Sequence, residues 1–286
     1  MRWLLPNIIS AFDNVYSGWI LWNLFLAAIP LLLSFSLFRR QSLANRWFLA
    51  ACVLVGIIGV LGLGPRIPRA VQGLYNLLRD NSGGGLLSLL ELLWLLLVAA
   101  FAGLLSLKIF KTKQNPQGWL WWVGLVVFLV FLPNAPYVLT DIIHLIRGTS
   151  SGEIRILVVA LVFIPLHAIA ILLGFEAYVV SILNLAAYLK QHGAKAMILP
   201  LELTIHALSA VGIYLGRFLR FNSWDLVIDP TGVIAYTLDA LTSKQPAAVI
   251  FVTFVILTSL YWVMKQITLG LKLRIRYARQ GIDALD

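Results

Sequence analysis

Residues 156–189, "ILVVALVFIPLHAIAILLGFEAYVVSILNLAAYL", form an apolar run of 34 residues. A helix needs only about 20 such residues to cross the roughly 30 Å hydrocarbon layer of a bilayer. In lipid every backbone N–H and C=O must be paired within its own segment, so runs of this kind fold as helices. Six further runs repeat the feature, at 18–38, 47–64, 86–107, 119–133, 197–218 and 247–265. With 60% hydrophobic and 12% charged residues against about 25% charged in soluble domains, the chain reads as one all-α polytopic membrane bundle over 1–286. The expected architecture is about seven spans (six to eight), with short interfacial helices after the fourth and sixth. The overlong fifth run is either one helix kinked at Pro165 or two short helices.

The net charge of +10 has a membrane explanation. Lys and Arg fall between and after the apolar runs, where they set topology and meet anionic lipid head groups. No nucleic-acid-binding pattern accompanies them. Seven spans place the basic tail "KLRIRYARQ" in the cytoplasm with the N-terminus outside, whereas eight would export it. The single cysteine, Cys52, excludes an internal disulfide and a thiolate metal cluster and reads as a small buried hydrophobe. The expected location is a bacterial inner, or other internal, membrane.

Two polar stretches interrupt this pattern. In "FLPNAPYVLTDIIHL" (131–145), Pro136 suits the first position of a helix and Asn134 is placed to cap it. Tyr137, Thr140, Asp141 and His144 then fall at i, i+3, i+4 and i+7 and share one helical face, with Val138 among the apolar residues covering the rest. A face turned to water more often carries Lys, Glu or Gln, whereas these four are types that build sites. Asp141 would orient His144 as a proton-moving group. The alternative is an amphipathic helix with its polar stripe in water. In "GIYLGRFLRFNSWD" (212–225), Arg217 and Arg220 stand near the end of a span, either anchoring it by snorkelling or gripping an anionic head group. Asn222 and Asp225 extend this stretch and count as candidate binding residues with Asn134, Tyr137 and Thr140. Seven spans bring both stretches to the same face of the membrane. No metal site is expected.

Glu91, His167, Glu176, Glu202 and His206 lie inside expected spans, where ionisable groups are costly. Counting residues puts His167 and His206 near mid-membrane, a pairing that admits a bis-histidine haem. Interhelical hydrogen bonding is the simpler reading, with Glu202 and His206 bonded to each other at i, i+4.

Together the two stretches resemble the signature of an uncharacterised bacterial integral-membrane family known only as a domain of unknown function. The matching residues are Asn134, Ala135, Pro136, Tyr137, Thr140, Asp141, His144 and Leu145, then Gly216, Arg217, Phe218, Arg220, Asn222, Ser223, Trp224 and Asp225. The resemblance implies membership and no activity, and it suggests that the two stretches work together.

No nucleophile elbow, phosphate loop or HExxH motif is present. The favoured expectation is an outer-face site for an anionic lipid or head group, with membrane lipids as partners and enzyme activity open. The alternative is a non-catalytic accessory or assembly subunit bound to other membrane proteins. A transporter or proton path comes third, since no inverted repeat is visible.

Overall fold

The computed structural model describes residues 19–39, 45–64, 118–150, 156–221 and 230–281, and these form helices and short connections without strands. We label them α1 (Trp19–Phe38), α2 (Arg46–Leu63), α3 (Trp119–Phe131), α4 (Asn134–Tyr137), α5 (Ile142–Ser150), α6 (Ile164–Gln191), α7 (Ile198–Arg217), α8 (Pro230–Thr242) and α9 (Lys244–Arg279). Among the described residues six helical stretches are long and apolar enough to cross a membrane: Trp19–Phe38, Arg46–Leu63, Trp119–Ile146, Ile156–Gln191, Lys195–Arg217 and Lys244–Arg279. The span expected at 86–107, with Glu91, lies outside the described residues. The polytopic helical bundle is thus the architecture of this chain.

Side-chain contacts fix the direction of each helix against α1. Gly59 faces Phe25 and Gly62 faces Trp22, so α2 runs antiparallel to α1. A Cβ on Gly62 would stand 2.6 Å from the backbone nitrogen of Trp22, and backbone cannot swing aside. Small residues are what allow such close approach between membrane helices. Gly62→Ala is therefore expected to cost about 1–3 kcal/mol through overpacking, read as a lower midpoint in denaturant.

The α3 helix is also antiparallel to α1, with the Trp121 indole N–H donating to Leu37 O at 3.4 Å. By contrast α6 is parallel to it, because Trp19 meets His167 while Ser34 and Arg39 both bond to Asn184. From α6 the chain turns back through His192–Met197 into α7, pairing Tyr178 with His206. Glu202 bonds Lys265 and His206 packs on Tyr261, so α9 is antiparallel to α7. One end of the bundle therefore gathers Trp19, Gly62, His144, His167 and Arg217, called here the site end. The other gathers Arg39, Trp121, Lys190 and Lys195, the basic end. Gly64 and Gly118, which border the undescribed stretch 65–117, lie at the site end and the basic end respectively.

At the fifth run one of the two expected forms is found, and at the fourth the boundary differs from the sequence reading. The overlong fifth run is one helical path, Ile156–Gln191, and Pro165, inside that path and without an N–H for its ladder, directly follows a π-helical turn at Val159–Phe163. The fourth path does not stop at 133. It turns at Leu132–Pro133 and continues through α4, a 3-10 turn at Val138–Asp141 and α5, still antiparallel to α1: Asp141 reaches Asn23 and His144 reaches Trp19. The polar face accordingly sits within the bundle's site end. The 13-residue α8, only about 20 Å long, is too short to cross.

Candidate functional site

The site begins with the backbone that two prolines disturb. Neither Pro133 nor Pro136 has an N–H to give to the helical ladder. Asn134 compensates: its Nδ2 donates to Phe131 O at 3.0 Å. The N-cap position of α4 is taken by Pro133 and Asn134 is its first helical residue, so the bond back to Phe131 braces the turn rather than capping the helix that follows. The apolar side of the turn is seated on glycines. A Cβ on Gly174 would meet Val138 at 3.0 Å and Ala135 O at 3.2 Å, and one on Gly212 would meet Pro133 at 2.9 Å. Val138 is fully buried, contrary to its place on the free side of the sequence-derived helix. Val138→Ala is therefore expected to lower stability by about 1–3 kcal/mol through the cavity it leaves, measurable by denaturant unfolding in detergent.

The polar side of the same segment converges on Arg217. Asp141 is 1% exposed. Its Oδ1 accepts from Arg217 Nη2 at 2.8 Å, and its Oδ2 accepts from Asn23 Nδ2 at 2.8 Å. Thr140 Oγ1 accepts from Arg217 Nε at 2.9 Å and from Nη2 as well, while donating its own proton to Tyr137 O at 2.6 Å. The guanidinium lies over the Tyr137 ring, 4.7 Å from its centroid. Gly216 leaves room for that ring, which would sit 3.1 Å from an added Cβ.

His144 Nε2 is 3.1 Å from Arg217 Nη1. A guanidinium only donates, so Nε2 must be the acceptor. The imidazole in this arrangement is neutral, with its proton on Nδ1. The Trp19 ring, 4.3 Å away between centroids, packs against it. Of the five N–H bonds of Arg217, four are thus directed at three residues of one segment, and the side chain is only 13% exposed. The geometry holds a cation, a carboxylate and a proton-accepting ring in fixed relation, which is the material of an anion-binding or acid–base site.

Tyr137, Thr140, Asp141, His144 and Arg217 are therefore brought together. Arg220 is not among them: it is exposed, with φ of 62°, at the turn that ends α7. Asn222 and Asp225 lie outside the described residues. Two members of the cluster escaped the sequence reading, Trp19 and Asn23. Their signal was present, since an asparagine within an apolar span, one turn after a tryptophan, is itself a costly placement.

His167 and His206 are not partners for a haem. His167 lies beside Trp19 at the site end, whereas His206 bonds Tyr178, eleven residues further along α6 and so about 16 Å deeper. Glu202 and His206 do not bond to each other either. Glu202 Oε1 accepts from Tyr261 at 2.7 Å and from Lys265 at 2.7 Å, while His206 Nδ1 is 2.7 Å from the Tyr178 hydroxyl, which donates at 3.2 Å to Ser209. Glu176 accepts from Thr268 at 2.9 Å. These bonds tie α6, α7 and α9 together away from the site end.

Apolar helices of membrane length, closed at one end by a buried charge network, define an integral membrane protein of the helical-bundle class. The chain belongs to the family described as Protein of unknown function (DUF1361), whose model matches residues 94–259, a stretch that holds both polar motifs. Comparison with curated proteins and with solved structures finds no match.

Proposed function

We propose that the cluster of Asp141, His144 and Arg217 is the working centre of the protein and takes the anionic head group of a lipid or lipid-like molecule. The observation that supports this most is the aim of Arg217: an arginine, not a lysine, held by Thr140, Asp141 and His144 in the plane its fork requires. Burying a charge pair costs desolvation that an apolar pair of similar size would avoid, so stability alone is a poor reason to place one here. An anion that draws Nη1 away from His144 releases the lone pair of Nε2, and His144 then becomes a proton acceptor beside the bound head group. In this reading Arg220, exposed at the same end, adds attraction for the incoming anion.

The basic residues at the opposite end favour a cytoplasmic placement for that end, with the site end facing outward. Labelling a Ser243→Cys protein in a Cys52→Ser background with a membrane-impermeant maleimide is expected to succeed from outside intact cells. Labelling only after lysis would reverse this topology.

Binding is tested by thermal unfolding with short-chain phosphatidic acid. At saturating lipid the expected rise in Tm is several degrees for the parent, following ligand linkage. It is absent with phosphatidylcholine and lost in Arg217→Lys, which keeps the charge but not the fork. An equal rise with phosphatidylcholine, or an undiminished one in the variant, would exclude a head-group site at Arg217.

A second reading is a non-catalytic subunit of a larger membrane complex, for which the outward face of α2 would be the place of contact, lipid covering that face otherwise. Among the described residues this helix packs mainly on α1 and leaves Trp47, Val53, Leu54, Ile57 and Val60 exposed. Gentle solubilisation followed by sizing separates the two readings, because the subunit would leave the membrane with a stoichiometric protein partner.

A further inference from the structure

The α9 helix is 36 residues long, about 54 Å, against the roughly 30 Å of a hydrocarbon layer. Its register against α7 shows which end overhangs. Glu202 is level with Lys265 and the helices are antiparallel, so the first residue of α7, Ile198, falls near Gly270. The turns of α9 after Gly270 run on past the start of α7, level first with Lys190 at the end of α6 and with Lys195 in the hairpin, and residues 269–281 are all exposed. Lys272, Arg276 and Arg279 sit at i, i+4 and i+7 and share one face, with Arg274 on another. No acidic residue lies between Gln266 and Ile282, nor between Lys190 and Lys195 in the neighbouring hairpin.

Depth selects the ligand. At about 1.5 Å per residue, Lys272 to Arg276 stand roughly 3–9 Å beyond Gly270. The head-group layer occupies roughly 5–8 Å on each side of the hydrocarbon. Leu273 and Tyr277 are exposed along the same overhang, and a tyrosine ring has its apolar body and polar tip matched to that layer. A rod built to meet a soluble acidic partner would not require apolar side chains at head-group depth.

The geometry points to a second lipid site, distinct from the one at Arg217: the overhang of α9, with Lys190 and Lys195 beside it, binds anionic phospholipid head groups of the leaflet at the basic end. The shared chemistry is a phosphate between guanidinium and ammonium groups one helical turn apart. The overhang thereby fixes the depth of α9, and with it the Glu202–Lys265 pair that the same helix carries.

The test uses the full chain, purified in detergent, with phosphatidylglycerol and phosphatidylcholine as competing probes and retained lipid counted by native mass spectrometry. The parent is expected to retain phosphatidylglycerol preferentially. Lys272→Gln/Arg276→Gln/Arg279→Gln should lower that preference by roughly fivefold for each charge removed. Arg276→Lys/Arg279→Lys, with charge kept, should retain it, and an unchanged elution volume shows that the variants are folded. Three results would each overturn the inference: no preference in the parent, an undiminished preference in the glutamine variant, or a preference lost in Arg217→Lys alone. The last would place all anionic lipid at the other end of the bundle.

Discussion

Replacing Asp141 with asparagine is expected to destabilise the protein by about 3–5 kcal/mol, the range for breaking one side of a buried ion pair. The carboxylate is 1% exposed and accepts from two donors on two helices. An asparagine can keep its oxygen toward Arg217, and Asn23 can flip its amide to accept from the new NH2 group, but the guanidinium loses its counter-charge where water does not reach it freely. Adding Arg217→Gln to Asp141→Asn is expected to recover a good part of that loss, because the uncompensated charge goes with it. Denaturant unfolding of the two single variants and the double variant gives the coupling. Head-group binding by the double variant should remain absent, which separates the stability of the cluster from its use.

The second large effect belongs to the deeper pair. Lys265→Met leaves Glu202 with Tyr261 as its remaining donor among those described, in a site where the carboxylate is 9% exposed. A cost of about 3–5 kcal/mol is expected again. Changing the partner instead should be milder: in Glu202→Gln the amide oxygen can still accept from Tyr261, and Lys265, 23% exposed near the basic end, can turn its ammonium toward the head groups. The asymmetry, Lys265→Met worse than Glu202→Gln, is measurable as two unfolding midpoints. Equal effects would mean that Lys265 cannot reach the head groups.

The helices were legible because lipid leaves the backbone few choices and because apolar length is easy to count. The Asp141 cluster was legible in part. Tyr137, Thr140, Asp141 and His144 share a face by helical spacing alone, and charge-guided topology put Arg217 at the same end. What spacing could not supply was the continuation beyond Pro133. A proline after an apolar run reads as a stop, yet Asn134 bonds back to Phe131 and the segment carries on between glycines of α6 and α7. For the same reason the burial of Val138 was invisible, since it depends on a missing Cβ at Gly174, a long way off in sequence.

Depth was the weakest element. Counting from expected helix ends placed His167 and His206 at one level, but helices of unequal length and a π-helical turn at Val159–Phe163 shift α6 relative to α7. Ring contacts settle the level directly, with His167 beside Trp19 and His206 between Tyr178 and Tyr261. The i, i+4 bond expected between Glu202 and His206 failed for a related reason. Glu202 is taken by Tyr261 and Lys265 of α9 and His206 by Tyr178 of α6, partners that lie far off in sequence.

The most direct measurement is the 15N spectrum of the His144 imidazole in full-length protein, titrated with short-chain phosphatidic acid. Without lipid, the bond from Arg217 Nη1 to Nε2 requires the neutral ring protonated at Nδ1. As the anion draws Arg217 away, the Nε2 resonance is expected to move in step with lipid occupancy, and to stay fixed when phosphatidylcholine is added instead. An Nε2 resonance that is already protonated without lipid, or one that does not move at saturating phosphatidic acid, would contradict a head-group site at Asp141, His144 and Arg217.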